Sequence, residues 1–197
     1  MRVAITGANR GLGKVIKEKL CARWIPIGFN RPEYDISTFE GRKKIINELK
    51  SNNNYTIFIN NAHNGFSQVK LLNDVYNIWK DKSDKYIINI NSRAKYPNIS
   101  KGYMYSASKA ALSQLSNNLK FKEDKKCRIT DINPGLLESD LPSMTYDELA
   151  KWVVYLINAA VDIEIGEISL WHRTSYVDVQ NQKQIKLNES RKNLGKN

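Results

Sequence analysis

The chain has 197 residues, enough for one domain with a sizeable core, and no Pro/Gly/Ser-rich linker divides it. Hydrophobic residues make up 41% and charged residues 26%, which excludes disordered and fibrous classes. Cys21 and Cys127 are too few for a disulfide framework and, with only His63 and His172 beside them, give no metal site.

The chain opens on the strand-like run Met1–Thr6, with no basic stretch leading into an apolar signal core, so a cytoplasmic location is expected. No apolar run approaches the roughly 18 to 20 residues that span a bilayer, and no membrane role is expected. The +11 net charge is dispersed over the sequence except in a Lys-rich polar extension, residues 173–197. Dispersed charge reads as solvated surface, and that extension has few aromatic residues to stack on bases, so nucleic-acid binding is not expected.

The first buried-looking strand, Val3–Ile5, runs into Thr6-Gly-Ala-Asn-Arg-Gly-Leu-Gly13, and helical spacing follows at Leu12, Val15, Ile16 and Leu20. A glycine-rich turn between a strand and a helix lets the main chain approach a pyrophosphate held by the free N–H groups of the helix start. Gly7, Asn9, Arg10, Gly11, Leu12 and Gly13 are therefore candidate phosphate-loop residues, the alternative being a glycine turn with no ligand. A second strand, Ile25–Phe29, ends in Asn30-Arg31. In such a unit this strand end lies near the adenosine ribose, where a basic residue accepts the extra phosphate of NADP. Arg31 and Arg10 can clasp that phosphate or face solvent. The expected cofactor is NADP(H) rather than NAD(H).

Helical spacing returns at Ile45, Ile46 and Leu49, and strands at Thr56–Ile59 and Tyr86–Ile90. The latter leads to Ser92, at the carboxyl edge where open α/β sheets bind ligands. Tyr105-Ser-Ala-Ser-Lys109 then places a phenol and an ammonium on one helix face, the charge lowering the phenol's pKa for proton exchange with a carbonyl. Leu112, Leu115 and Leu119 continue that helix, and strands follow at Cys127–Ile132 and Glu167–Leu170. Alternation of this kind predicts an α/β fold of three layers, a doubly wound and mostly parallel sheet with helices on both faces.

Taken together, Thr6–Gly13, Asp35-Ile36, Asn60-Asn-Ala-His63, Ser92, Tyr105 with Lys109, and Asn133-Pro-Gly135 resemble the short-chain dehydrogenases/reductases, in the non-extended branch with the glycine pattern TGxxxGxG. The resemblance covers nearly all of residues 1–172 and implies a Rossmann-type NAD(P)-binding domain. It implies that Ser92, Tyr105 and Lys109 are catalytic, and that Tyr105 and Lys109 also touch the cofactor. It implies that Asp35 and Ile36 line the adenine, that Asn60 and Ala62 back the ribose, and that Pro134, Gly135, Leu137 and Ser139 embrace the nicotinamide end. A small carbonyl or alcohol substrate and a homodimer or homotetramer are also implied.

The departures matter as well. His63 stands where the family has glycine and reads first as a tolerated loop residue. The family's fourth catalytic residue, an asparagine on the next helix, has no clear counterpart: counting back from Ser92 lands on Asn64, with Asn77 the other candidate. The connection from Arg31 to Asp35 leaves little room for the usual third strand, and the substrate lid between Leu136 and Met144 is short. An alternative function is an NADP(H)-binding redox sensor without turnover.

Overall fold

In the computed structural model, residues 1–97, 99, 102–159, 162–174, 181, 184–186 and 188–189 are described. Most of the 173–197 extension therefore lies outside the described residues.

Six apolar runs form strands β1 (Arg2–Thr6), β2 (Ile25–Phe29), β3 (Tyr55–Asn60), β4 (Tyr86–Ile90), β5 (Arg128–Pro134) and β6 (Glu167–Leu170). They make one sheet in the order β2-β1-β3-β4-β5-β6, with every neighbouring pair parallel. The inner strands are apolar on both faces because helices cover both. Along β1, Val3 and Ile5 pack against α1 (Gly11–Leu20) and α5 (Tyr146–Asn158), while Ala4 faces the opposite layer. That layer is built from α2 (Phe39–Ser51), α3 (Ser67–Trp79) and α4 (Tyr103–Lys120). The three-layer reading therefore holds, with a core on each side of the sheet.

The short stretch after β2 forms turns, not a strand, and Thr38 already caps α2 by accepting the Gly41 amide at 3.0 Å. This leaves β2 as the sheet edge, a place where Pro26 removes no needed ladder hydrogen bond. From β1 the chain steps outward to β2, then crosses back over β1 to β3. The gap between the carboxyl ends of β1 and β3 is thus the topological switch point, where open α/β sheets bind ligands.

Beyond β5, Leu136 to Met144 closes on itself: Met144 N donates to Leu136 O and Glu138 N to Met144 O, each at 3.0 Å. Thr145 and Glu148 then start α5 with a reciprocal capping box.

Candidate active site

At the switch point, β1 ends at Thr6 and the chain turns through Gly7, whose φ of +70° is in the left-handed region that favours glycine. Two asparagines brace the turn. Asn30 Oδ1, at the end of β2, accepts the Ala8 amide at 2.6 Å, and Asn61 Nδ2, beyond β3, donates to Thr6 O at 2.9 Å. Gly13 sits on the first turn of α1 with no room for a side chain, since a Cβ there would run into the Gly7 carbonyl oxygen. The start of α1 has no side-chain cap and no acidic residue in its first turn. Its opening N–H groups and the positive end of its dipole are therefore available to an anion.

A cleft of about 530 Å³ runs across this turn. Gly7, Asn9, Arg10, Gly11, Leu12 and Gly13 form its floor. Asn30, Arg31, Asp35 and Ile36 line it beyond β2, while Ala62 and Asn64 line it beyond β3. Asp35 is held below the usual carboxylate range by the Ser37 amide, which donates to its Oδ1 at 2.9 Å, and Arg31 adds to the effect. The cleft also takes in Tyr34, Asn61, His63 and Tyr146, which sequence reasoning did not assign to it. Tyr146 arrives from the first residue of α5 and faces Gly11 across the phosphate loop, a contact only the tertiary fold creates.

The remaining predicted residues lie outside the cleft lining. Asn60 is fully buried and gives its Nδ2 protons to Gln68 O at 3.1 Å and Asn89 Oδ1 at 3.0 Å. Pro134 ends β5, Gly135 N donates to Leu170 O, and Leu137 bridges to Met144. Ser139 is exposed in the short lid, where its amide donates to Ser143 Oγ. Of the two asparagine candidates, Asn64 lies in the loop ahead of α3 and Asn77 is exposed late in that helix.

Ser92 follows β4 and accepts the Ala94 amide at 3.1 Å. Tyr105 occupies the first turn of α4 and is 38% exposed, whereas Lys109, one turn later, is 3% exposed. The lysine nitrogen lies 5.7 Å from the Tyr105 ring centroid and donates to Gln68 Oε1 at 2.8 Å and Ile90 O at 3.0 Å. Burial pushes the Lys109 ammonium down to about 7, against the opposing pull of Asp131.

That shift has a consequence for stability. The unfolded chain keeps the lysine at its ordinary 10.5, so between about 7 and 10.5 the unfolded state binds more protons than the native one. Stability from this group is therefore gained as pH rises through that window and lost as pH falls towards 7. Denaturant unfolding across the window should show a larger gain for the wild type than for Lys109→Met. Equal gains would mean that Lys109 is not buried as described.

His63 proves to be more than a loop residue. Its ring meets the Tyr105 ring edge-to-face at 5.0 Å between centroids, and its Nε2 lies 3.1 Å from Ser108 Oγ. Ser108 spends its single hydroxyl proton on Tyr105 O at 2.7 Å, so Nε2 of His63 must be the donor in their contact. Burial and the nearby Lys109 charge hold the imidazole below its usual pKa, favouring the neutral ring.

The sequence profile of the family described as short chain dehydrogenase matches residues 36–149, more than half of the chain. The chain belongs to the short-chain dehydrogenase family. This is a family of oxidoreductases. No curated protein matches the sequence. Solved structures share the family fold. A closed serine dehydrogenase complexed with NADP+ superposes with a TM-score of 0.72 at 18% identity, covering 89% of this chain and 96% of that one. An alcohol dehydrogenase from the archaeon Thermococcus sibiricus, complexed with 5-hydroxy-NADP, gives 0.73 at 17% identity over 89% and 98%. A 3-alpha-hydroxysteroid dehydrogenase from Pseudomonas sp. B-0831, complexed with NADH, gives 0.72 at 18% over 86% and 95%. Among the described residues the sheet ends at β2 on one side. Among the described residues no helix is long and apolar enough to cross a membrane, and no cluster of His, Cys, Asp or Glu is arranged to hold a metal.

Proposed function

We propose that the protein is an NADP(H)-dependent oxidoreductase that interconverts a carbonyl and an alcohol, with Tyr105 as general acid and base. One observation carries the reading: a glycine turn too tight for a Cβ at Gly13 and the Tyr105–Lys109 pair both belong to the carboxyl edge of one parallel sheet. The turn and the uncapped start of α1 suit a dinucleotide's diphosphate, Asp35 and Ile36 its adenine, and Arg10 and Arg31 a 2′-phosphate.

When bound, the nicotinamide supplies or takes the hydride. In the reducing direction Tyr105 gives its phenolic proton to the carbonyl oxygen while the Ser92 hydroxyl donates to that oxygen and steadies its growing charge. In its protonated form Lys109 puts positive charge beside the phenol, which favours the phenolate left behind. The short lid leaves the substrate side open, and pocket shape, not this trio, sets which carbonyl enters. A homodimer or homotetramer belongs to the same reading, with Tyr103 and Met104 of α4 and Phe121 just after it exposed.

Arg31→Ala should weaken NADPH binding about 10- to 100-fold, the worth of one charge-assisted hydrogen bond, and leave NADH binding nearly unchanged. Calorimetric titration of both nucleotides checks this, and equal losses would remove Arg31 from the 2′-phosphate. The function itself is tested by incubating the protein with a panel of carbonyl compounds and NADPH deuterated at the transferable position. The expected result is an alcohol product carrying deuterium on the former carbonyl carbon. A second reading, NADP(H) binding without turnover, is favoured by the His63 ring packed against Tyr105. It predicts tight NADPH binding with no labelled product from any compound.

A further inference from the structure

The family's fourth catalytic residue is an asparagine, and of its candidates here Asn64 lies ahead of α3 and Asn77 is exposed late in it; the structure puts another amide, that of Gln68, against the catalytic lysine. We infer that Gln68 is the positioning residue for Lys109, holding its nitrogen directly. The inference rests on the proposed function for its catalytic meaning.

Gln68 is 1% exposed, on the first turn of α3. Its orientation is fixed by its neighbours. Nε2 donates to Asn60 O at 2.7 Å and to Ile90 O at 3.0 Å, and two carbonyl acceptors at one end of an amide demand the NH₂ group there. The other end is therefore oxygen, and it accepts from Lys109 Nζ at 2.8 Å. The Gln68 backbone carbonyl is gripped as well, by Asn60 Nδ2 at 3.1 Å. Asn60 continues to Asn89, Asn89 Nδ2 to Asp131 Oδ1 at 2.8 Å, and Asp131 to Lys120 at 2.8 Å, a buried row across β3, β4 and β5. Rotating the Gln68 side chain would break its own bonds to Asn60 O, Ile90 O and Lys109.

Lys109 is thereby registered to the strand that leads into Ser92, since it and Gln68 share the Ile90 carbonyl. As an ammonium it has three protons. Gln68 and Ile90 take two, and the third has no hydrogen-bond acceptor among the described residues, leaving it for the Tyr105 side of the site. A shorter asparagine at position 68 would not span the same gap. The titratable and charged groups facing Lys109 are Tyr105 on its own helix, His63 ahead of α3, and Asp131 on β5, the last already paired with Lys120.

The test is an NMR titration of the full chain labelled with ¹³C at the lysine ε carbons, the Lys109 signal being assigned by its loss in Lys109→Arg. In Gln68→Leu the ammonium loses an acceptor, and its midpoint should fall by about one pH unit or more. In the near-isosteric Gln68→Glu a carboxylate takes that place, and the midpoint should rise. Circular dichroism establishes that each variant is folded, and opposite shifts cannot come from loosened packing alone. A midpoint unchanged from wild type in the folded variants overturns the inference. The titration needs no dinucleotide, so failure of the oxidoreductase reading would show separately, as absent NADPH binding by the wild type.

Discussion

Tyr105→Phe is expected to lower NADPH-dependent carbonyl turnover by roughly a hundred- to ten-thousand-fold while leaving NADPH affinity nearly unchanged. The phenol is assigned the proton transfer because Lys109 is 3% exposed with two of its protons committed to Gln68 and Ile90, and Ser92 is a weak acid. Phenylalanine keeps the ring that packs on His63, so the loop ahead of α3 and the adjoining cleft should keep their shape. Initial rates and nucleotide affinity measured on the same preparation separate chemistry from binding. A variant within about tenfold of wild type would remove Tyr105 from proton transfer, since general acid–base catalysis contributes more than that. His63, whose ring touches Tyr105 and whose Nδ1 is not used by Ser108, would then be the group to replace.

Gly13→Ala should raise the dissociation constant for NADPH by about 100-fold or more. A methyl group there meets the Gly7 carbonyl, which is backbone, and the Asn61 side-chain nitrogen, which already braces Thr6. Neither can retreat without opening the turn that forms the floor of the cleft. The same overpacking should cost about 1–3 kcal/mol of stability, seen as a lower denaturant midpoint. By contrast, a Cβ at Gly65 meets nothing within 4 Å, although its φ of +48° still strains a side chain. If Gly13→Ala bound NADPH like wild type, the phosphate loop would not be where the dinucleotide sits.

Much of the fold is legible in the sequence because a parallel sheet buried on both faces demands continuous apolar runs, and such runs stand out against polar connections. Val3–Ile5, Thr56–Ile59 and Tyr86–Ile90 are found as strands within a residue at either end. That the sheet ends at β2 follows from the few residues between Arg31 and Asp35. The α5 helix carries a signal the sequence analysis did not use, its Thr145–Glu148 capping box and the spacing of Leu149, Val153 and Leu156.

The glycine turn is legible for a different reason, as its residues are neighbours in sequence and their geometry is local. Gln68 is not. It follows Ser67 on a helix whose Lys70, Asn73 and Asp74 are polar too, and its partner Lys109 is 41 positions away. Only the folded α3–α4 contact reveals that this one polar side chain points inward. His63 and Tyr146 became site residues in the same way, one by meeting Tyr105 and the other by crossing to Gly11 from α5. The network from Gln68 to Asp131 depends on β3, β4 and β5 lying in register, with Asn60 beside Asn89 and Asn89 beside Asp131. No periodicity in the chain announces that row.

The measurement that bears most directly on the central claim is an equilibrium titration of the wild-type protein with NADPH and with NADH, followed by nicotinamide fluorescence. Saturable binding of NADPH is expected, tighter than that of NADH by about tenfold or more through Arg10 and Arg31. Failure of both nucleotides to bind would contradict the dinucleotide site, and with it the assignment of Tyr105 and Lys109 to hydride-transfer chemistry.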